Sequence, residues 1–99
     1  MERIEKNNNV TEFYINEELL LTIKVLGDNM YEVENKFTKI VGYAETLDEH
    51  RTEYRIDEHY SKGKNDRWYK TKKLLEHNSK WFTYILAEKG FINKTVAIK

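Results

Sequence analysis

Neutral imidazole is a common ligand for zinc and copper, so His50, His59 and His77 are the first side chains to test for chemistry. His50 and His59 stand an odd number of residues apart and face opposite sides of any one regular strand, while His77 falls in a helical segment. No metal site is expected from them. Carboxylate pairs, Glu53 with Asp57 or Asp48 with Glu49, have the composition for acid–base or glycosidase work if held across a cleft. Arg51 and Arg55 interleave with the first pair, however, and neighbouring positive charge keeps a carboxylate ionised when a general acid needs its proton. A solvated, mutually neutralised strand face is the better reading. Nucleophilic catalysis fares no better: there is no cysteine, and Gly27, Gly42, Gly63 and Gly90 form neither a nucleophile elbow nor a phosphate-cradling loop. The chain is read as a non-enzyme without a cofactor.

Cations and aromatic rings carry a stronger signal. Across residues 61–73 six cations, Lys62, Lys64, Arg67, Lys70, Lys72 and Lys73, face the single acid Asp66, a local charge of +5, with Trp68 and Tyr69 interleaved. Residues 45–58 carry the opposite sign, six acids against two arginines. If a helix begins near Asp66, then Tyr69, Lys73, His77, Lys80 and Tyr84 follow at i, i+4 and i+3 spacings and form one exposed stripe. The partner-binding set is therefore Tyr69, Lys73, His77, Lys80 and Tyr84 together with Lys62, Lys64, Arg67 and Lys70 of the basic loop. Its first expected partner is a protein with an acidic surface, because exposed tyrosine is favoured at interfaces and the acidic sector repels phosphate. The alternative is a nucleic acid, with bases stacked on rings and phosphates neutralised by lysine. The bland reading is that an amphipathic helix must show some polar face to water.

The elements that position these residues follow from periodicity. Residues 1–9 carry Asn7-Asn8-Asn9 and little apolar content, and are expected to form a flexible tail before a single domain over 10–99. From Val10 to Tyr60 the apolar residues recur mainly with period two, which predicts an antiparallel meander of about five strands. A hairpin turn is expected at Gly27-Asp28-Asn29 and a bulge at Gly42. In the last strand Thr52, Tyr54, Ile56 and Tyr60 should share one face, with Arg51, Glu53, Arg55, Asp57 and His59 on the solvated one. Asp66 is then read as the N-cap of one long amphipathic helix burying Trp68, Leu74, Leu75, Trp81, Phe82, Ile85 and Leu86. That helix should end at Lys89, with Gly90 in the left-handed conformation and Phe91 folded back onto Leu86. Val96 and Ile98 suggest a short final strand. The predicted class is α+β, one long helix packed on a face of the meander.

Composition bounds the rest. Ninety-nine residues bury only roughly 60–65% of their unfolded surface, enough for one modest core, and zero cysteines leave stability to packing. With 17 basic and 17 acidic residues the net charge is zero, which excludes histone-like binding through an overall field. No apolar run approaches a membrane span, so a cytoplasmic protein is expected, in a bacterium or in the host cell of a virus. Lys outnumbers Arg 13 to 4, as in AT-rich genomes, which points toward a phage or mobile-element regulator or inhibitor. The Leu20-Thr22-Leu26 side is less polar than a solvated face and makes a homodimer a further expectation; a central strand with both faces partly covered explains it equally.

Overall fold

The computed structural model describes residues 1–48, 51–71 and 76–92, with side chains in the last segment described from residue 80. Seven strands follow one another in the sheet in chain order: β1 (Glu2–Glu5), β2 (Val10–Ile15), β3 (Glu18–Gly27), β4 (Met30–Glu34), β5 (Thr38–Asp48), β6 (Arg51–Lys62) and β7 (Trp68–Lys70). Every neighbouring pair is antiparallel. One helix, α1 (Glu76–Glu88), follows and runs unbroken through Asn78 and Ser79.

Tight turns make the meander. Asn16 and Glu17 both take positive φ, 50° and 66°, the geometry of a two-residue type I′ hairpin. Between β3 and β4 the left-handed position falls on Asn29, φ 58°, and not on Gly27. The β6–β7 loop closes through Asp66 N–H to Gly63 C=O (3.1 Å) and Gly63 N–H to Arg67 C=O (2.8 Å), with Asp66 left-handed at φ 61°.

This architecture corrects the expected one. Among the described residues the protein is predominantly sheet, with seven strands where about five were predicted, and the described helix spans 13 residues where a helix running from Asp66 to Lys89 was expected. Asp66 is not a helix cap but a hairpin residue, and Trp68 belongs to β7 and not to a helical stripe. The physical reason is local. A three-residue strand is too short to display a period of two, and Asp suits a left-handed turn position as well as it suits an N-cap. At the other end of the chain, Glu2–Glu5 of the expected tail pairs in register with β2, from Glu2 opposite Tyr14 to Glu5 opposite Thr11. Leu74, Leu75 and the expected final strand at Val96 and Ile98 lie outside the described residues.

One face of the sheet is the core. Ile23, Val33, Ile40 and Ala44 are fully buried, as are Phe82 and Leu86 of α1, with Phe13, Leu21 and Tyr31 completing the cluster. Trp81 and Ile85 pack half-buried at its margin, so this part of the predicted helical stripe is seated as its spacing requires. The helix ends as predicted in a Schellman cap: Phe91 N–H donates to Leu86 C=O (2.8 Å), Gly90 N–H to Ala87 C=O (3.1 Å), and Gly90 has φ 85°. Phe91 then meets Tyr31 edge-on, with ring centroids 6.1 Å apart. Arg3 of β1 adds a second tie, donating to Lys89 C=O (3.2 Å), where the carbonyl end of the helix favours a cation.

The predicted bulge at Gly42 is present, and it changes which residues β6 presents. Val41 pairs with Glu58 but Gly42 with Ile56, so Asp57 is an extra residue. A one-residue insertion exchanges the faces beyond it. His59, expected on the solvated face, is buried on the core side opposite Ile40, and Tyr60 moves to the open face opposite Lys39.

Candidate functional site

The antiparallel order puts the turns following β2, β4 and β6 at one end of the sheet, and those following β3 and β5 at the other. The first end is basic. The β6–β7 turn brings Lys62, Lys64 and Arg67 there, and the β4–β5 turn adds Lys36, whose ammonium pairs with the Glu18 carboxylate. The opposite end is acidic, with Glu45 directly across from Glu53 and Asp48 paired to Arg51 at 3.3 Å.

Aromatic rings are threaded through the basic end on the open face. In register, Lys39 lies opposite Tyr60 and Tyr60 opposite Lys70, while Lys62 lies opposite Trp68. The Lys39 ammonium stands 4.9 Å from the Tyr60 ring and 5.1 Å from that of Trp68, and Lys62 stands 4.7 Å from Trp68. Such contacts contribute about 0.5–1 kcal/mol each at exposed sites, enough to order the lysine stems without removing their charge from solvent.

Phe37 is the exposed ring of the site. The Asn35 side chain accepts from the backbone N–H of Phe37 (2.8 Å) and of Thr38 (2.7 Å), and Lys62 N–H donates to Phe37 C=O (3.0 Å). Both sides of the turn are thereby fixed, and the ring is left 71% exposed. A groove beside it is lined by Lys36, Phe37, Lys62, Gly63, Lys64 and Asp66. Tyr69 closes the hairpin on the other face: its ring lies so close over Gly63 that a Cβ there would overlap it, and its hydroxyl hydrogen-bonds with Asn65.

The predicted partner-binding residues are therefore divided. Lys62, Lys64, Arg67 and Lys70 converge at the basic end, but Tyr69 is on β7 and shares no helix with Lys80 and Tyr84, which lie exposed on α1. Lys73 is outside the described residues, and the His77 side chain is not among those described. Phe37, Lys39 and Tyr60 were not singled out by the sequence. Asn35-Lys36 marks a turn, and counting from it would have placed Lys39 beside Tyr60, but only with the bulge at Asp57 included.

Of the carboxylates considered for acid–base work, Asp57 is held by an arginine. Arg55 grips Asp57 through two hydrogen bonds (2.6 and 3.3 Å), and this holds the Asp57 carboxyl below the usual carboxylate range. Tyr14, Tyr43 and Tyr60 donate to the carboxylates of Glu12, Glu45 and Glu58 two residues away on their own strands, and these bonds raise each phenol above its ordinary pKa. Among the described residues no group of three or more His, Cys, Asp or Glu side chains is placed to hold a metal, and no helix is long and apolar enough to cross a membrane. His50 lies outside the described residues. Comparison with protein-family models, with curated proteins and with solved structures finds no match to this chain.

Proposed function

We propose that the basic end is a non-catalytic binding surface for single-stranded nucleic acid. The observation that carries this reading is Phe37, an aromatic ring held out in solvent on a fixed turn, in one groove with Lys36, Lys62 and Lys64. A base stacked on such a ring contributes about 1–3 kcal/mol, and phosphates passing along the groove meet the lysines. Trp68, Tyr60, Lys39 and Lys70 extend the same chemistry across the open face. The neutral chain as a whole gives no long-range field, so binding depends on this local cluster.

The test is fluorescence anisotropy of labelled single-stranded and duplex DNA and RNA at two salt concentrations. The expected result is salt-sensitive binding that favours single strands, weakened about fivefold or more by Phe37→Ala and abolished by Lys62→Glu with Lys64→Glu. Absence of binding at low salt removes the reading. A second reading then stands on a different observation: Tyr84 is 44% exposed on α1 one turn from exposed Lys80, a pair suited to an acidic protein surface. Under it Tyr84→Ala would weaken capture of the partner, with little dependence on salt.

A further inference from the structure

Strand β6 is longer than the strand that covers its outer edge. β7 pairs only with Tyr60–Lys62, and Thr71 N–H adds a bond to His59 C=O at 2.7 Å. Among the described residues the stretch of this edge from Arg51 to Glu58 is unpaired, and a strand edge of this length is a template for another strand.

The sequence along it is antisymmetric in charge. Arg51, Glu53, Arg55 and Asp57 alternate in sign at two-residue spacing and are centred on Tyr54. An antiparallel copy related by a two-fold axis at Tyr54 places Arg51 opposite Asp57 and Glu53 opposite Arg55, each pair occurring twice, with Thr52 opposite Ile56 and Tyr54 opposite itself. Moving the axis by one residue reverses the outcome. Centred on Glu53 it sets Glu53 against Glu53 and Arg51 against Arg55; centred on Arg55 it sets Arg55 against Arg55 and Glu53 against Asp57. Edge charges that only prevent association need no such order, since a single sign repels in every register. This pattern repels in the two neighbouring registers and attracts in one.

The second copy also adds positive charge beside a like-charge pair of the monomer. Glu45 and Glu53 are directly opposite across β5 and β6, a like-charge pair that destabilises a sheet. The partner's arginine at position 55 would lie on the outer side of Glu53 and offset that repulsion. Arg55 itself is already ordered there, stacked at 5.5 Å on the Tyr43 ring.

We infer that the protein forms a homodimer by antiparallel pairing of the β6 edges, residues 51–57, about a two-fold axis at Tyr54, joining two seven-stranded sheets into one. The same register brings Asp48 of each copy toward the Lys70 end of the other's β7. The occupant is thus a second copy of this chain.

Sedimentation equilibrium across the micromolar range, with Glu53→Arg, Arg55→Glu and the double variant, tests the proposal. Each single reversal sets like charges opposite at two symmetric positions and should weaken the dimer about tenfold or more, while the double variant restores both pairs and the native affinity. Tyr54→Cys supplies a second readout that leaves the charges untouched. Opposed residues of an antiparallel pair have Cα atoms about 4.5–5.5 Å apart, within disulfide reach, and the chain contains no other cysteine. Mild oxidation should therefore cross-link Tyr54→Cys and leave Tyr84→Cys monomeric. A native chain that stays monomeric, a dimer indifferent to the charge reversals, or failure of Tyr54→Cys to cross-link would each overturn the proposal.

Discussion

On the helix side of the sheet, Ile23, Val33, Ile40 and Ala44 are fully buried beneath Phe82 and Leu86; across the same strands, Lys24, Glu32, Lys39, Tyr43, Arg55 and Tyr60 meet one another and water. The covered face excludes solvent, so each methylene there contributes through transfer and packing. The open face is held by pairs such as Lys24 with Glu32 (3.4 Å) and Lys6 with Glu12 (3.6 Å), each contributing about 0–1 kcal/mol at a solvated site. The two faces thus divide the labour. Residues of the covered face decide whether the protein folds, and those of the open face can be set by recognition because little stability depends on any one of them.

The strongest way to break that division is at the helix. Phe82→Ala removes a fully buried ring and is expected to cost about 3–5 kcal/mol, a large share of what so small a domain has. Urea denaturation monitored by circular dichroism measures it. Phe37→Ala, the same substitution at a 71% exposed ring, should move the midpoint little and should act on nucleic-acid affinity instead. Equal losses of stability from the two would show that the faces are not separate in function.

Gly42 joins the two faces, because the bulge opposite it decides which side chains of β6 point where. A Cβ at this position would overlap the Arg55 carbonyl oxygen of the adjoining strand, a backbone atom that cannot rotate away. Gly42→Ala is expected to destabilise by about 1–3 kcal/mol, read from the same denaturation curves. Relaxation of the strain by loss of the bulge would return His59 toward solvent, visible as changed His59 ring chemical shifts by NMR.

These two sites also mark what the sequence displays and what it hides. Trp81, Phe82, Ile85 and Leu86 show the core-facing stripe of α1 directly, because helical spacing is a property of neighbouring residues; Gly90 and Phe91 show its end for the same reason. The alternation through β3 and β4 is equally plain. The Asp57 insertion is hidden, since a bulge is defined by the partner strand and not by the strand that carries it, and with it go the faces of His59 and Tyr60. β1 is hidden because Glu2–Glu5 holds its place by backbone pairing and by Arg3 on Lys89 C=O, neither of which needs an apolar pattern. The candidate site was legible as a composition, cations among aromatic rings, but its geometry was not. Trp68, Tyr69 and Lys70 had to be placed on a strand before the rings and lysines could be assigned to faces.

Smaller gains are expected at the turns, which lie outside both faces. Glu17 takes φ 66° with an ordinary Cβ, in a type I′ position that favours glycine, and Asp66 takes φ 61° in the β6–β7 loop. Glu17→Gly should raise stability by about 0.5–1 kcal/mol and Asp66→Gly by less, because Asp already tolerates the left-handed region. Thermal melts of the two variants provide the comparison.

The smallest effect distinguishes the faces by pH. Tyr14, Tyr43 and Tyr60 on the open face have phenols raised by their bonds to Glu12, Glu45 and Glu58. A folded-state pKa above the unfolded value means that the folded protein holds its proton more tightly, so this contribution is fully present below about pH 10 and is lost as pH rises through the folded values. Asp57, lowered by Arg55, acts in the opposite direction: its contribution is present above about pH 4 and is lost as pH falls through its folded pKa. Both arms should be shallow, because these groups are screened by water and salt. Replacing Tyr14, Tyr43 and Tyr60 together by Phe should flatten the alkaline arm and remove the late-titrating phenols from the ultraviolet difference spectrum, leaving the acid arm unchanged. Replacing Asp57 by Asn should flatten the acid arm alone. An alkaline loss of stability undiminished in the triple Phe variant would place its origin elsewhere, with the hydroxyl of Tyr31, raised by its burial on the covered face, as the next group to replace.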